Sequence, residues 1–228
     1  MELLYTAFRD GGPVMYVIAL VSGIAIAILI ERVYQLYFRF SINASEFTAQ
    51  LSRLIRGGQL KKAISLCDAA PNAALARVAK AALLKAGQDE RTIQSAVDEV
   101  ALEVLPKIQK RIDHLQVIAN IATLLGLLGT IIGIIIAFKA VAEVEPAMKQ
   151  QVLTRGIAIA LYTTAFGLTV AIPSLFAHAV VKAKATKLVD ELDEHSVKII
   201  NLLNEARDRG LLAAAQAQTA NPGDYKGS

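Results

Sequence analysis

The stretch Leu125-Gly126-Leu127-Leu128-Gly129-Thr130-Ile131-Ile132-Gly133 restricts the fold more than any other part of this chain. It lies inside a 24-residue run, Leu115 to Phe138, that carries no charged side chain. At about 1.5 Å per residue, a helix of that length crosses a bilayer core of about 30 Å. Gly126, Gly129 and Gly133 recur at spacings of three and four, so they share one helical face. Glycines on one face let a second backbone approach closely, and Thr130 sets a hydroxyl beside that contact.

Two further runs have the same character. Pro13 to Ile30 is bounded by Asp10 and by Glu31-Arg32, and Gly156 to Val181 is bounded by Arg155 and Lys182. Charged residues make up 19% of the chain, and they fall between these runs rather than in them. The expected fold class is an all-α integral membrane protein with three transmembrane helices and a helical cytoplasmic domain. The first run lacks the basic start and small-residue cleavage site of a secretory leader, and is read as a retained span. Basic residues near the span ends set the orientation. Arg32, Arg39, Lys107, Lys110, Arg111, Lys182, Lys184 and Lys187 fall on one side; Arg9, Lys139, Lys149 and Arg155 fall on the other. The richer side is assigned to the cytoplasm, which puts the N-terminus outside and the C-terminus inside.

The resulting layout has an external segment over residues 1–12, spans over 13–31, 114–139 and 155–181, and a helical cytoplasmic region over 32–113. A short external loop covers 140–154, a cytoplasmic helix 182–211 and a disordered tail 212–228. In the cytoplasmic region, turn signals stand at Gly57-Gly58, Pro71-Asn72 and Gly87-Gln88-Asp89. Between them, series such as Ile93, Val97, Val100, Val104 have helical spacing. Pro106 is expected to kink the approach to the second span. The single cysteine, Cys67, cannot form an internal disulfide and reads as a packing residue. The net charge of +4 comes with no basic stripe interleaved with aromatics, so nucleic acid is not an expected partner.

The three apolar runs hold no Asp, Glu, Lys or Arg; their polar groups are mainly hydroxyls. Asn120, Thr123 and Thr130 fall near one face of the second span. On the third, Ala160, Thr164, Gly167, Ala171 and Ser174 form a stripe of small residues, with Thr163 beside it and Pro173 interrupting the backbone donors. Such hydroxyls commonly bond their own backbone, and small residues serve close packing. Facing hydroxylated stripes in a charge-free membrane protein also fit a hydrated path. A hydroxyl cannot bind and release a proton near neutral pH, however. If protons move here, the titrating carboxylate has to come from another chain.

These residues resemble the MotA/TolQ/ExbB proton-channel family. Leu125–Gly133 followed by Ala137-Phe138 is similar to that family's second-helix signature, and Gly156 to Pro173 to its third. Gly11-Gly12-Pro13 and Glu31-Arg32 are similar to the flanks of the first span in ExbB and TolQ proteins. The resemblance covers about residues 5 to 205. It implies a homo-oligomeric, typically pentameric, ring in the bacterial inner membrane around a dimer of a single-span ExbD/TolR/MotB-like partner, whose aspartate carries the proton. It further implies that Thr130 and Thr164, with Thr163, line the ion pathway. Gly126, Gly129, Gly133, Ala160, Gly167, Ala171 and Pro173 would then pack the pore face.

Two positions depart from that pattern. Ile159 stands where ExbB and TolQ proteins usually have a glutamate, and His178 stands where a tyrosine is common. His178 near the cytoplasmic end fits either a proton exit or an interfacial histidine bonded to a neighbour. Glu143 and Glu145 in the external loop fit either cation attraction or plain solubility. Glu99, Glu103, Lys107, Lys110 and Asp113 fit either an inter-subunit ion network or solvated pairs along a helix.

The expected function is a ring subunit of a proton-motive-force-driven motor that couples ion flow to envelope work, such as TonB-type transport, Tol-type envelope maintenance or gliding. The alternative is a non-conducting membrane scaffold for a secretion or envelope complex. An enzyme is not expected. There is no HExxH, no Ser/His/Asp set and no phosphate loop, and the three histidines lie at least 17 residues apart without ligand spacing. No cofactor or metal is expected.

Overall fold

A computed structural model describes residues 12–210; the expected outer segment before residue 12 and the expected disordered tail fall outside that range, save Gly12 itself. Helix α1 (Gly12–Tyr34) runs into a π-helical turn, Gln35–Arg39. Four shorter helices follow: α2 (Ala44–Arg56), α3 (Leu60–Asp68), α4 (Ala74–Leu84) and α5 (Glu90–Gln109). Two long ones complete the chain, α6 (Ile112–Glu143) and α7 (Lys149–Asp208). Three of the helices are long and apolar enough to cross a membrane.

The chain divides into two compact units. The first comprises residues up to Val33 together with Arg111–Lys182. Here Ile18 of α1 packs against Ala119 and Ala122 of α6 and Val170 and Ala171 of α7. About two turns further along α1, Ala25 meets Leu115 and Ile118. Ala119, Ala122 and Ala171 are small, so the helices approach closely there. Many bulky side chains point outward: Leu20, Ile24 and Ile30 on α1, Leu124, Leu128 and Ile136 on α6, and Leu161, Ile172 and Phe176 on α7 are all exposed. Outward apolar side chains along these stretches of three helices suit lipid, not water.

The second unit comprises Tyr34–Lys110 and the chain from Ala183 onward. Here α2 packs on α3, α3 on α4, and α4 on α5. Local chemistry fixes the boundaries. Asn43 caps α2 by accepting from the Glu46 N–H at 3.3 Å, and Asp89 caps α5 by accepting from the Thr92 N–H at 3.3 Å. Gly58 at φ 67° and Gly87 at φ 93° take the left-handed turns after α2 and α4. Leu51, Ile55, Ala63, Cys67, Val78, Ala82, Ile93 and Val97 form the buried faces. Burial pushes the Cys67 thiol up to about 11, in keeping with a packing role.

Three boundaries of the expected layout take definite form in the structure. Pro106 sits within α5, and the chain breaks four residues later, where Lys110 is extended and Arg111 takes φ 58°. A proline removes the hydrogen bond of its own N–H to the preceding turn, which the exposed side of α5 tolerates. Of the stretch 140–154, only Val144–Met148 lie between helices, because α6 continues to Glu143 and α7 begins at Lys149. The third span and the helix after it are one uninterrupted helix of 60 residues.

Candidate functional site

The contact between α6 and α7 is an antiparallel seam of small residues. A side chain added to Gly167 would meet the Ala122 carbonyl oxygen at 2.7 Å and the Gly126 Cα at 3.0 Å. One added to Gly126 would meet the Thr164 Cα at 3.2 Å. Gly129 accommodates the Thr163 side chain, whose Cβ would lie 2.7 Å from a new Cβ, and Gly133 accommodates Ala160 at 2.9 Å. At the far end a Cβ on Gly156 would overlap that of Ala137. The spacing of the glycines is therefore explained by backbone approach within one chain.

The hydroxyls sit in the middle of this seam. The Thr130 hydroxyl bonds the carbonyl of Gly126 on its own helix and that of Ala160 on α7, both at 3.2 Å. The Thr164 hydroxyl donates to the same Gly126 carbonyl from across the seam at 3.0 Å. Thr130 and Thr164 also contact each other through their hydroxyl oxygens. Thr163 is buried and donates to the Ala160 carbonyl at 2.7 Å. The structure thus brings Thr130, Thr163 and Thr164 together with Gly126, Gly129, Gly133, Ala160 and Gly167. It does not bring in the other two. Ala171 packs with Ile18 of α1 and Ala119 of α6, and Pro173 is exposed on the outer side of α7. Asn120 and Thr123 are exposed too, with the Thr123 hydroxyl bonded to the Ala119 carbonyl at 3.1 Å.

Near the other end of the spans lies a charged group. Asp113 Oδ1 is 3.4 Å from Nε2 of the buried His178 and 3.8 Å from the Lys182 ammonium. Glu31 accepts from Arg111 at 2.7 Å and from the buried Arg32 at 3.0 Å. His178 therefore has the hydrogen-bonded neighbour that an interfacial histidine requires. Glu143 and Glu145 are exposed. Glu103 pairs with Lys107 along α5 at 2.6 Å and with Arg77 of α4 at 2.7 Å, and these cations hold its carboxyl at about 2. Among the described residues, no cluster of His, Cys, Asp or Glu could hold a metal ion.

Sequence reasoning passed over Ala137 and Gly156 as a packing pair and the Glu31–Arg111 ion pair. The first was accessible, since Gly156 extends the stripe of Ala160, Thr163 and Gly167 by four residues. The second joins residues 80 positions apart, and no local pattern reports it.

A charge-free pair of apolar helices joined by a glycine seam, with threonines bonded across it and a helical domain following the first span, defines a polytopic helical membrane protein. Residues 70–194 match the MotA/TolQ/ExbB proton channel family, and the chain belongs to that family. It is 39% identical over 88 residues to the biopolymer transport protein exbB1 of Vibrio cholerae, covering 39% of this chain and 38% of that protein. It is 24% identical over 188 residues to an ExbB homologue of Methanothermobacter thermautotrophicus, covering 82% and 65%. It is 38% identical over 74 residues to the Tol-Pal system protein TolQ of Haemophilus influenzae, covering 32% of each. The chain thus spans 38% and 65% of the length of the first two relatives.

Proposed function

We propose that this chain is a ring-forming subunit of a proton-driven inner-membrane motor of the ExbB/TolQ/MotA type. The observation that carries this reading is the Thr130–Thr164 pair, the polar centre of two spans without a charged side chain. These hydroxyls cannot titrate near neutral pH, so the proton carrier is assigned to a second chain. A single-span ExbD/TolR/MotB-like dimer, bearing a membrane aspartate and enclosed by five copies of this protein, supplies it. Each threonine hydroxyl already accepts or donates within the seam, and it keeps a lone pair with which to hold water beside that aspartate. The protein performs no covalent chemistry in this scheme. The N-terminus faces outward and the second unit lies in the cytoplasm, as the basic residues at the span ends require. The output is mechanical work on an envelope partner, of the transport or Tol-Pal type that the relatives' names indicate.

The test is proton flux into vesicles holding this protein with and without its single-span partner. Flux is expected only with both chains, and Thr130→Val together with Thr164→Val should abolish it while the complex still assembles. Strong flux from this chain alone, or full flux in the double variant, would overturn the reading.

A further inference from the structure

The π-helical turn that ends α1 carries aromatic rings on its outside. Tyr34 is 63% exposed, Tyr37 47% and Phe38 76%, whereas Leu36 and Phe40 of the same segment are buried. Tyr34 and Phe38 stack with their centroids 5.8 Å apart. The Lys184 ammonium lies 5.2 Å from the centroid of the Tyr37 ring. Neither Lys184 nor Arg39 has a carboxylate within ion-pair distance among the described residues, and Arg39 is exposed. Three exposed rings and two unpaired cations therefore stand together, immediately after the last apolar residues of a membrane helix.

Water is a poor environment for this combination. A phenylalanine exposed by three quarters loses hydrophobic stabilisation, and a cation that relies on a ring face is only weakly compensated. The boundary between acyl chains and headgroups suits both. Ring bodies enter the apolar edge there, tyrosine hydroxyls reach the headgroups, and lysine and arginine stems extend to the phosphates. We propose that Tyr34, Tyr37, Phe38, Arg39 and Lys184 form a binding site for an anionic phospholipid headgroup. Lys184 and Arg39 engage the headgroup phosphate, while Tyr37 orients the lysine and Phe38 contacts the upper acyl chain. A neutral zwitterionic headgroup carries its own cation and competes poorly for the same two charges.

The experiment uses the full chain in neutral detergent with added phosphatidylglycerol or phosphatidylcholine. Retained lipid is counted by native mass spectrometry, and thermal unfolding is followed by circular dichroism. Phosphatidylglycerol should be retained in preference and should raise the unfolding temperature, less so at high salt. Lys184→Gln and Arg39→Gln should each weaken its apparent affinity about fivefold, as expected for one interfacial cation. Tyr37→Leu should reduce the preference, and Lys184→Arg should keep it. Equal retention of the two lipids by the unaltered protein would overturn the proposal without recourse to any variant. So would a change of oligomer mass in the variants with lipid preference intact, which would make this face a protein contact. Neither readout involves ion flux, so this result stands or falls apart from the motor reading.

Discussion

The α6–α7 seam and the helical layers of the second unit both exclude solvent, by opposite means. In the seam the contact is backbone against backbone: Gly126 lies on the Cα atoms of Thr164 and Gly167, and Gly133 lies on Ala160. In the second unit the contact is side chain against side chain, with Leu51, Ile55, Ile93 and Leu203 fully buried. The difference follows from the solvent. In water, burying a large apolar side chain contributes about 1.5–3 kcal/mol, so large residues go inside. In lipid that gain disappears, because an acyl chain is as apolar as leucine. Association then relies on close approach and on hydrogen bonds such as that from Thr164 to the Gly126 carbonyl. In the α6–α7 seam, small residues go inside and large ones outside.

This contrast predicts opposite responses to altered side-chain size. Removing bulk should matter most in the second unit: Ile93→Ala should cost about 2–5 kcal/mol, read from chemical denaturation of the second unit's helical signal. Adding bulk should matter most in the seam. Gly167→Ala forces a methyl against the Ala122 carbonyl and should cost about 1–3 kcal/mol. Gly23→Ala on α1, where a Cβ meets nothing within 4 Å, should be neutral or gain about 0.5–1 kcal/mol. Equal losses at Gly23 and Gly167 would mean that the seam is not what distinguishes them.

A smaller effect separates the units by pH. His195 is buried in the second unit, with Nδ1 2.9 Å from the Thr48 hydroxyl, and burial lowers its pKa, helped by nearby Lys198 against Glu194 and Glu191. The unfolded chain then takes up a proton more readily than the folded one. Stability should be complete above the ordinary histidine value of about 6.5 and fall as the pH drops below it. Unfolding of the second unit at pH 7.5 and 5.5 checks this, and His195→Gln should flatten the difference. The smallest effect is expected at the seam threonines. Thr130→Val keeps the shape and should shift thermal stability by under about 1 kcal/mol, since hydroxyl bonds in membrane proteins average less than that. A larger loss would make Thr130 a structural linchpin and weaken its assignment to an ion path.

Those contrasts also account for what could be read in advance. The three spans and the glycine face were legible because the absence of charge over Leu115–Phe138 and the three-and-four spacing are local properties. The helical character of residues 44–109 was legible from the spacing of Ile93, Val97 and Val104 between turn signals. The break at Arg111 was not, because an arginine at φ 58° carries no sequence signal. Ala171 was grouped with the pore face because it shares the stripe of Gly167. Its neighbour Ile18 belongs to a helix about 150 residues earlier, which spacing along α7 alone cannot reveal.

The short connection between α6 and α7 has a kinetic consequence. Only Val144–Met148 separate the two helices, and the Met148 N–H already closes a turn on the Glu145 carbonyl at 3.0 Å. Loop closure of that length is fast, and its entropy cost is small. Loop closure therefore favours early contact nearest the turn, Ala137 with Gly156, with the pairs further along the seam following. Ile18 finds its seat only afterwards, since Ala119 and Ala122 come from one arm of the hairpin and Val170 and Ala171 from the other. The α6–α7 hairpin is therefore expected to close before α1 docks, because the seat of Ile18 needs both arms of the hairpin.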